Sequence, residues 1–338
     1  MIKIGNKNIG EGYPTFCIAE MACAHQGDVE KACKLVDVAV KAKADAIQIQ
    51  VFKKEAYMSP TCRDYELITK LELSQNEWLR VIKSIKEKEI LFFAAGYDTE
   101  SIKFLIKNDI DGFKVHSSDI SNPEILVRVA KSGKPIFLSC GASKIEEIRN
   151  ALKILKKNGA KTIILMHGYQ GFPTKIEDTQ LNFIKTLRKI FRLNVGFYDH
   201  VDGGSIFAKI IPFMAIGYGA QVIEKHYILT RENKGIDYES SLDAENFIEF
   251  VKLLRECEKA IGSKERGRFT EGELKYRESG KKSIVAKINI PKGAKISREM
   301  VMFVRSEPGI PPDKFGIIDG KIAKREIQMN QNLTYNDF

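Results

Sequence analysis

The sequence predicts a closed (β/α)8 barrel of parallel strands, followed by a small, mostly β module. Short apolar runs rich in β-branched residues alternate eight times with amphipathic helical patterns, which is typical of this α/β architecture. An open, doubly wound sheet is the alternative, but the βα turns contain no glycine-rich dinucleotide motif. The histidines favour the barrel, because each of the five lies at or soon after the end of a predicted strand.

The barrel elements follow one another in regular order. The predicted strands are residues 15–20, 46–51, 90–94, 112–116, 135–140, 162–167, 193–198 and 220–225. The predicted helices, with apolar residues at i, i+3 and i+4, are residues 30–43, 75–89, 98–108, 123–132, 144–158, 181–191, 204–217 and 244–261. In such a barrel the C-terminal ends of all strands meet at one rim, where catalytic groups lie.

The composition of the chain changes after residue 261. The following stretch is charged and contains glycine, which indicates a linker or a connecting helix. From Lys282 onward, short apolar runs are separated by Gly and Pro turns, as in a compact β module. We therefore divide the chain into a barrel domain at 1–265, a linker at 266–281 and a β module at 282–338.

Length and composition describe an ordinary globular protein. Of 338 residues, 43% are hydrophobic and 29% charged, and the formal charge is +10. The basic residues are spread along amphipathic helices, so we expect a solvated lysine-rich surface and neither a nucleic-acid nor a membrane partner. Six cysteines without CxxC spacing indicate reduced thiols, and neither a signal peptide nor a membrane-spanning apolar run is visible. These features predict a cytoplasmic protein.

The histidines point to a metal site at the rim. His200 and His226 end the seventh and eighth predicted strands, which are neighbours in the barrel, while His25, His116 and His167 follow or end the first, fourth and sixth. Two imidazoles from adjacent strands suit a catalytic divalent metal with open coordination positions. Asp199 and Glu224 lie next to this pair in sequence, so each is expected to hold an imidazole or to bind a polar substrate.

Glu20 and Lys114 are the other charged residues of the predicted strands that invite a chemical role. Glu20, at the end of the first strand, is a candidate general acid or base. Lys114 is costly inside a strand unless it is paired, and with Ser117, Ser118 and Ser139 it suggests an anion pocket. A structural Lys114–Glu20 ion pair is the alternative for both residues. A Schiff-base lysine is a further alternative, which the paired histidines argue against, because aldolases of that class need no metal.

Several segments together resemble the bacterial sialic acid synthases, a family that includes the pseudaminic and legionaminic acid synthases. The resemblance runs through residues 19–27, 44–47, 114–122, 134–141, 172–174, 199–200 and 223–226, together with His167. It extends in register over nearly the whole barrel. The C-terminal module resembles the antifreeze-like (SAF) domain of the same family.

The resemblance implies a reaction and a set of partners. In that family the barrel condenses phosphoenolpyruvate with the open-chain aldehyde of an N-acetylated hexosamine, and Mn²⁺ polarises the aldehyde. It implies metal ligands at His200 and His226, with Glu20 as the acid/base and Asp119 where the family usually has a second catalytic glutamate. It also implies sugar-hydroxyl contacts at Glu224 and Asp237 and a substrate-side glutamine at Gln50. The implied phosphoenolpyruvate contacts are Lys114, Ser117, Ser139 and, in place of asparagine, Gln170. Arg305 matches an arginine that enters the partner subunit's site, which implies a domain-swapped homodimer.

The departures from the family pattern concentrate around phosphoenolpyruvate. Gln48 replaces a lysine, Ala95 a threonine and Tyr198 a serine, while elsewhere Ala24 replaces an asparagine and Phe172 a tyrosine. These changes leave open a metal-dependent lyase, aldolase or isomerase that acts on a sugar acid without phosphoenolpyruvate. A noncatalytic sugar-binding or regulatory protein is a third reading, against which the retained Glu20 and both histidines argue.

Overall fold

The structure is a computed structural model that describes residues 1–232, 234–262, 265 and 267–338. The chain divides into two compact units, Met1–Gly262 and Ser263–Phe338. The predicted start of the linker, Arg266, lies outside the described residues. Across the described ranges, no helix is long and apolar enough to cross a membrane.

Most of the regular elements lie in the first unit, and those from residue 271 onward belong to the second. The strands are β1 Ile2–Ile4, β2 Lys7–Ile9, β3 Phe16–Ala22, β4 Ala46–Val51, β5 Leu91–Gly96, β6 Gly112–Val115, β7 Ile136–Ser139, β8 Ile163–His167, β9 Val195–Asp199, β10 Val222–His226, β11 Lys282–Ala286 and β12 Val301–Arg305. The helices are α1 Val29–Lys41, α2 Lys54–Tyr57, α3 Tyr65–Leu71, α4 Gln75–Glu87, α5 Thr99–Lys107, α6 Pro123–Lys131, α7 Ile145–Lys157, α8 Asn182–Phe191, α9 Phe207–Gly217, α10 Ala244–Cys257, α11 Glu271–Ser279 and α12 Phe315–Ile318.

Strands β3 to β10 close into the predicted parallel barrel. They pair in chain order, and β10 returns to pair with β3, where His226 lies opposite Glu20. Each barrel strand lies within two residues of its predicted bounds. The helix predicted from residue 204 begins only at Phe207, because Gly203 lies in a turn and donates its N–H to the Glu239 carbonyl at 2.7 Å.

An N-terminal hairpin that the sequence pattern did not reveal closes the floor of the barrel. Strands β1 and β2 pair antiparallel and bring Ile4 and Ile9 into one buried cluster with Phe16, Phe93 and Phe137. Phe16 is the first residue of β3, so this apolar cluster lies at the opposite end from the polar strand termini. Strands of three residues are too short to show a period of two, so the sequence pattern does not predict this hairpin.

The second unit has its own apolar core. Strands β11 and β12 pair antiparallel, and isolated bridges join Ile290 to Ile327 and Lys295 to Ile322. Buried Ile284, Ile290, Ile296, Ile310, Ile318, Ile327 and Leu333 fill the interior between these short segments. This agrees with the predicted β module, in which Gly and Pro turns separate short strands.

We expect the hairpin to contribute directly to the stability of the barrel. Ile9→Ala should lower the free energy of unfolding by about 2 to 5 kcal/mol, because it leaves a cavity beneath the fully buried barrel floor. Urea unfolding followed by circular dichroism measures this loss. The matched control is Ile206→Ala, whose side chain is 61% exposed and should change stability by less than about 0.5 kcal/mol. Equal effects of the two substitutions would contradict this account of the hairpin.

Candidate active site

The polar residues of the barrel lie above its apolar floor, at the C-terminal ends of the strands. Alternation along β9 and β10 directs Tyr198, His200, Glu224 and His226 towards the barrel interior. Glu20, Gln48 and Lys114 reach the same layer from β3, β4 and β6. All seven side chains are buried. The structure therefore brings five of the predicted site residues, Glu20, Lys114, His200, Glu224 and His226, into one mouth.

Asp199 does not belong to this mouth, so its expected role beside the histidines was wrong. It forms an ion pair with Lys225, its register partner on β10, and both side chains are fully buried. Because side chains alternate along a strand, the residue before His200 faces the outer side of the barrel, towards the helices. Asp199 and Lys225 thus hold β9 to β10 from the outside and contact neither imidazole.

His200 and His226 meet at the rim as predicted from their strand positions. Their ring centroids are 4.9 Å apart, with an angle of 68° between the planes. The Nδ1–H of His200 donates to the Tyr169 carbonyl at 2.8 Å, which leaves Nε2 as the lone-pair nitrogen. Burial lowers the pKa of His200 to about 3 and that of His226 well below its usual value. Both imidazoles are therefore neutral at pH 7.

This donor set fits a divalent metal ion. Metal ligation requires neutral imidazole with a free lone pair, and the buried Nδ1 of His226 has no hydrogen-bond partner among the described residues. Within those residues, no group of three His, Cys, Asp or Glu side chains is arranged to hold a metal. Two protein ligands would leave coordination positions for substrate and water, as catalytic metal chemistry needs.

Glu20 occupies the point where β3 is irregular. The register between β3 and β4 shifts between Glu20 and Ala22, and Ala22 has a φ of 45°. This bulge lets the Ala22 N–H donate to Glu20 Oε1 at 2.7 Å, while Gln48 Nε2 donates to Oε2. Burial raises the pKa of Glu20, and the nearby Lys114 ammonium opposes that rise. Glu20 is thus a fixed carboxyl group whose proton affinity suits acid–base chemistry.

Lys114 forms the ion pair with Glu20 that the sequence left as an alternative, and it also pairs with Glu224. Its Nζ lies 3.6 Å from Glu20 Oε2 and hydrogen-bonds Glu224 Oε1. These two carboxylates keep the pKa of the buried ammonium above its usual value despite burial. Glu224 Oε2 and Gln48 Oε1 lack partners within the described part of the chain, so both oxygens are available to a ligand's donors.

Three side chains on one side of the mouth, Ser117, Gln170 and Tyr198, form a hydrogen-bonded trio. We call this the donor side, because the family resemblance expects phosphoenolpyruvate, the donor of the new carbon chain, to bind there. Gln170 Nε2 lies 2.8 Å from Ser117 Oγ and 3.2 Å from the Tyr198 hydroxyl. The nearby Ser139 Oγ is fully buried and unpartnered among the described residues. The predicted anion contacts therefore do converge, but Lys114 is directed at carboxylates.

Asp119, Asp237 and Gln50 lie on the other side, which we call the acceptor side. Asp119 is in the turn after β6 and accepts hydrogen bonds from Asn122 and Ser118 at 2.9 and 3.2 Å. Burial raises the pKa of Asp119, and it raises that of Asp237 to about 6. Gln50 Oε1 is 4.0 Å from Cys23 Sγ. The acceptor side thus presents carboxyl and amide oxygens, the groups that bind sugar hydroxyls.

Arg305 belongs to the second unit and ends β12. Its side chain is exposed, and its nearest polar contact is the Tyr276 hydroxyl at 3.5 Å. The expectation that it serves a partner subunit's site stays a prediction.

The raised pKa of Asp237 should appear as a pH dependence of stability. Between the ordinary value of 3.8 and the folded value of about 6, the folded protein keeps a proton that the unfolded chain releases. The free energy of unfolding, taken relative to Asp237→Asn, should therefore fall by about 3 kcal/mol as the pH rises from about 4 to about 7. Urea unfolding of both proteins across this range tests the sign. Parallel stability profiles would mean that Asp237 titrates normally.

Comparison with known proteins matches both units. Residues 35–266 match the NeuB family, and residues 281–338 match the SAF domain. An uncharacterized protein of Methanocaldococcus jannaschii is 37% identical, across 99% of this chain and 98% of its own length. The N,N'-diacetyllegionaminic acid synthase of Legionella pneumophila is 30% identical, across 98% of this chain and 96% of its own length.

A solved structure supports the same assignment. The N-acetylneuraminic acid (sialic acid) synthetase of Leptospira borgpetersenii, in complex with citrate, matches with a TM-score of 0.75 and 32% identity. The match covers 82% of this chain and 96% of that one. The chain therefore belongs to the NeuB family, which includes the sialic and legionaminic acid synthases, and its C-terminal region is a SAF domain.

Proposed function

We propose that the protein is a nonulosonic acid synthase that joins phosphoenolpyruvate to the aldehyde of an open-chain hexosamine or related sugar. Phosphoenolpyruvate, aldehyde and water would give a 3-deoxy-2-keto sugar acid and inorganic phosphate. The observation that carries this proposal is that Glu20 and His226 lie side by side, as register partners on the neighbouring strands β3 and β10. It sets a proton-transfer group beside a neutral, metal-competent imidazole, and the family membership supplies the reaction class.

The metal would be held by His200 and His226, and Mn²⁺ is our candidate. Bound there, it would polarise the aldehyde oxygen for attack. The protein groups do the rest of the work. Glu20, oriented by the Ala22 N–H, would take a proton from the water that adds to phosphoenolpyruvate and return it to the tetrahedral intermediate as phosphate leaves. Asp119, Asp237 and Glu224 would orient the sugar through its hydroxyls, with Gln50 beside them.

Phosphoenolpyruvate would bind on the donor side of the mouth. Lys114 is the ammonium that faces the interior there, and Ser117, Ser139 and Gln170 would add neutral hydrogen-bond donors. Donor binding would require Lys114 to exchange a carboxylate for the incoming anion. Such an exchange keeps the buried ammonium paired throughout.

We extend the proposal to a domain-swapped homodimer in which Arg305 of each SAF domain completes the site of the other subunit. An exposed guanidinium at the end of β12 is suited to pair with an anionic substrate. We place the enzyme in the cytoplasm, because all six cysteines are free thiols. A role in cell-surface polysaccharide synthesis fits the relatives, one of which is the spore coat polysaccharide biosynthesis protein SpsE of Bacillus subtilis, 26% identical.

The first test is phosphate release from phosphoenolpyruvate with a panel of hexosamines and other aldoses, with and without Mn²⁺. We expect metal-dependent release, and Glu20→Gln should lower kcat by about 10²- to 10⁴-fold while the metal stays bound. His200→Ala should lose the metal as well as the activity, as metal analysis of the purified protein will show. If the wild type binds metal yet turns over phosphoenolpyruvate with none of the sugars, the proposed function is wrong.

The packing of Tyr198 favours a second candidate, a metal-dependent aldolase or lyase whose donor lacks phosphate. The Tyr198 ring is 1% exposed and packs directly over two glycines. A Cβ at Gly168 would lie 2.2 Å from its ring, and a Cβ at Gly141 would lie 1.9 Å from its hydroxyl oxygen. The ring thus fills the space between the ends of β7, β8 and β9, where the family resemblance expects a serine.

The charges on the donor side point the same way. Gln48 supplies no cation and donates to Glu20, while Lys53 and Lys54 pair with Glu72 and Glu55 at 3.5 and 3.8 Å. Both lysines thus pair with glutamates, and neither takes the place of the lysine that the family has where this chain has Gln48. Loss of a single cationic contact to phosphate costs roughly 1.5 to 3 kcal/mol if nothing compensates. A pyruvate-like donor would need less room and less positive charge.

The two candidates differ in what Tyr198→Ser should do. If the donor lacks phosphate, the wild type should form the keto acid from pyruvate and an aldose without phosphate release, and the reaction should run in reverse. Tyr198→Ser combined with Gln48→Lys should then shift the ratio of kcat/KM towards phosphoenolpyruvate by about tenfold or more. Tyr198→Phe keeps the ring and serves as the control. Efficient wild-type use of phosphoenolpyruvate, with a KM that Tyr198→Ser leaves unchanged, would dispose of the second candidate.

A further inference from the structure

Three of the five histidines at the strand ends have no part in the proposed reaction, namely His25, His116 and His167. His25 packs edge-on against Trp78 of α4, and His167 packs against Phe183 of α8, so both rings lie against the helices. His25 and His167 are buried, whereas His116 is half-buried. Of these three imidazoles, His116 is therefore the one that a ligand can reach.

The His116 side chain faces the mouth of the barrel. It directly follows β6, and its φ of −69° and ψ of 157° continue the extended conformation of the strand. Alternation therefore places it on the same side as Lys114, while Val115 between them packs in the apolar cluster that the strands form with the helices. Burial and then the Lys114 ammonium lower the pKa of His116 to about 3. His116 in turn is close enough to help lower the pKa of both His200 and His226.

The turn after β6 decides which nitrogen of His116 carries the proton. The Ser118 N–H donates to His116 Nδ1 at 3.3 Å, and Ser118 Oγ lies 3.0 Å from the same nitrogen. Because Nδ1 accepts, the proton of the neutral ring is on Nε2. The Tyr97 ring, held in a buried cluster, supports the imidazole with the ring centroids 5.6 Å apart. Since Nε2 has no hydrogen-bond partner among the described residues, His116 offers an oriented and neutral N–H donor.

Lys114 and His116 thus place two different donors on one face of β6. The ammonium supplies one positive charge and the imidazole supplies none, while Ala95, the register partner of Lys114, adds no polar side chain. A carboxylate carries one negative charge and two acceptor oxygens, which suits this combination of donors. A phosphate group carries nearly two negative charges, and the excess would lie close to Glu20 and Glu224.

We propose that His116 binds the carboxylate of the three-carbon donor through its Nε2–H, beside the ammonium of Lys114. This inference rests on the proposed function for the presence of such a donor. It adds a specificity-determining residue to which neither the histidine pattern nor the family resemblance gave a role. Phosphoenolpyruvate and the pyruvate-like donor of the second candidate share this carboxylate, so the contact serves either reaction.

Calorimetric titration of the full chain tests the contact without turnover. The probes are phosphoenolpyruvate, pyruvate, which has the carboxylate alone, and inorganic phosphate, which has no carboxylate. His116→Leu should weaken the binding of phosphoenolpyruvate and pyruvate about tenfold or more, because a hydrogen bond to a charged group is lost. The binding of inorganic phosphate should not change. The matched variant His116→Gln keeps an N–H donor near the position of Nε2 and should recover most of the lost affinity.

Turnover assays separate binding of the donor from a role in the chemical step. His116→Leu should raise the KM for the donor about tenfold and change kcat far less. A lower kcat with an unchanged donor KM would place His116 at the reacting aldehyde and overturn the inference. If the binding effects appear but no sugar gives phosphate release, the proposed function fails and the carboxylate contact stands.

Three binding results would also refute the contact. The first is a folded His116→Leu protein, checked by circular dichroism, that keeps wild-type affinity for both carboxylates. The second is a loss of affinity for inorganic phosphate alone, which would assign the imidazole to a phosphate group. The third is a wild-type chain that binds neither carboxylate.

Discussion

The ammonium of Lys114, lodged between Glu20 and Glu224, is the interaction on which the rest of the mouth depends. A buried lysine is stable only while a carboxylate accompanies it, and two buried carboxylates side by side are stable only while a cation lies between them. The three groups therefore hold one another in place across β3, β6 and β10. The ammonium also lies close enough to Glu20 to oppose the rise of its pKa. Among the described residues, Glu224 Oε2 is left without a hydrogen-bond partner.

This arrangement divides the mouth into two chemically different halves. On the donor side, hydroxyl and amide groups of Ser117, Gln170 and Tyr198 surround the end of the lysine, and an aromatic ring takes up much of the space. On the acceptor side lie the carboxyl groups of Asp119 and Asp237, whose pKa values are raised by burial. The neutral imidazoles of His200 and His226 lie next to Glu20 on the closing strands. Gln48 and Tyr198, which depart from the pattern that the family resemblance implies, both face this mouth.

Much of this was readable from the sequence because period-two and period-3.6 patterns report burial directly. The eight strands, their order and the histidines at their ends follow from local alternation and from the short connections that force parallel crossovers. The exclusion of Asp199 was also readable in principle, since it precedes His200 by one residue and must face the other side of the strand. Closeness in sequence does not place two side chains together on a strand, because neighbouring residues face opposite sides.

The sequence by itself determined the barrel, the metal-competent pair and the family, because each depends on residues that are close along the chain or on motifs in register. Only the tertiary structure decided which partners the buried charges take, since Lys114, Glu20 and Glu224 come from three distant strands. It likewise decided that β1 and β2 close the floor and that Tyr198 fills the space over Gly141 and Gly168. Such contacts join residues far apart in the chain, and their energies arise from packing and desolvation that local patterns do not encode.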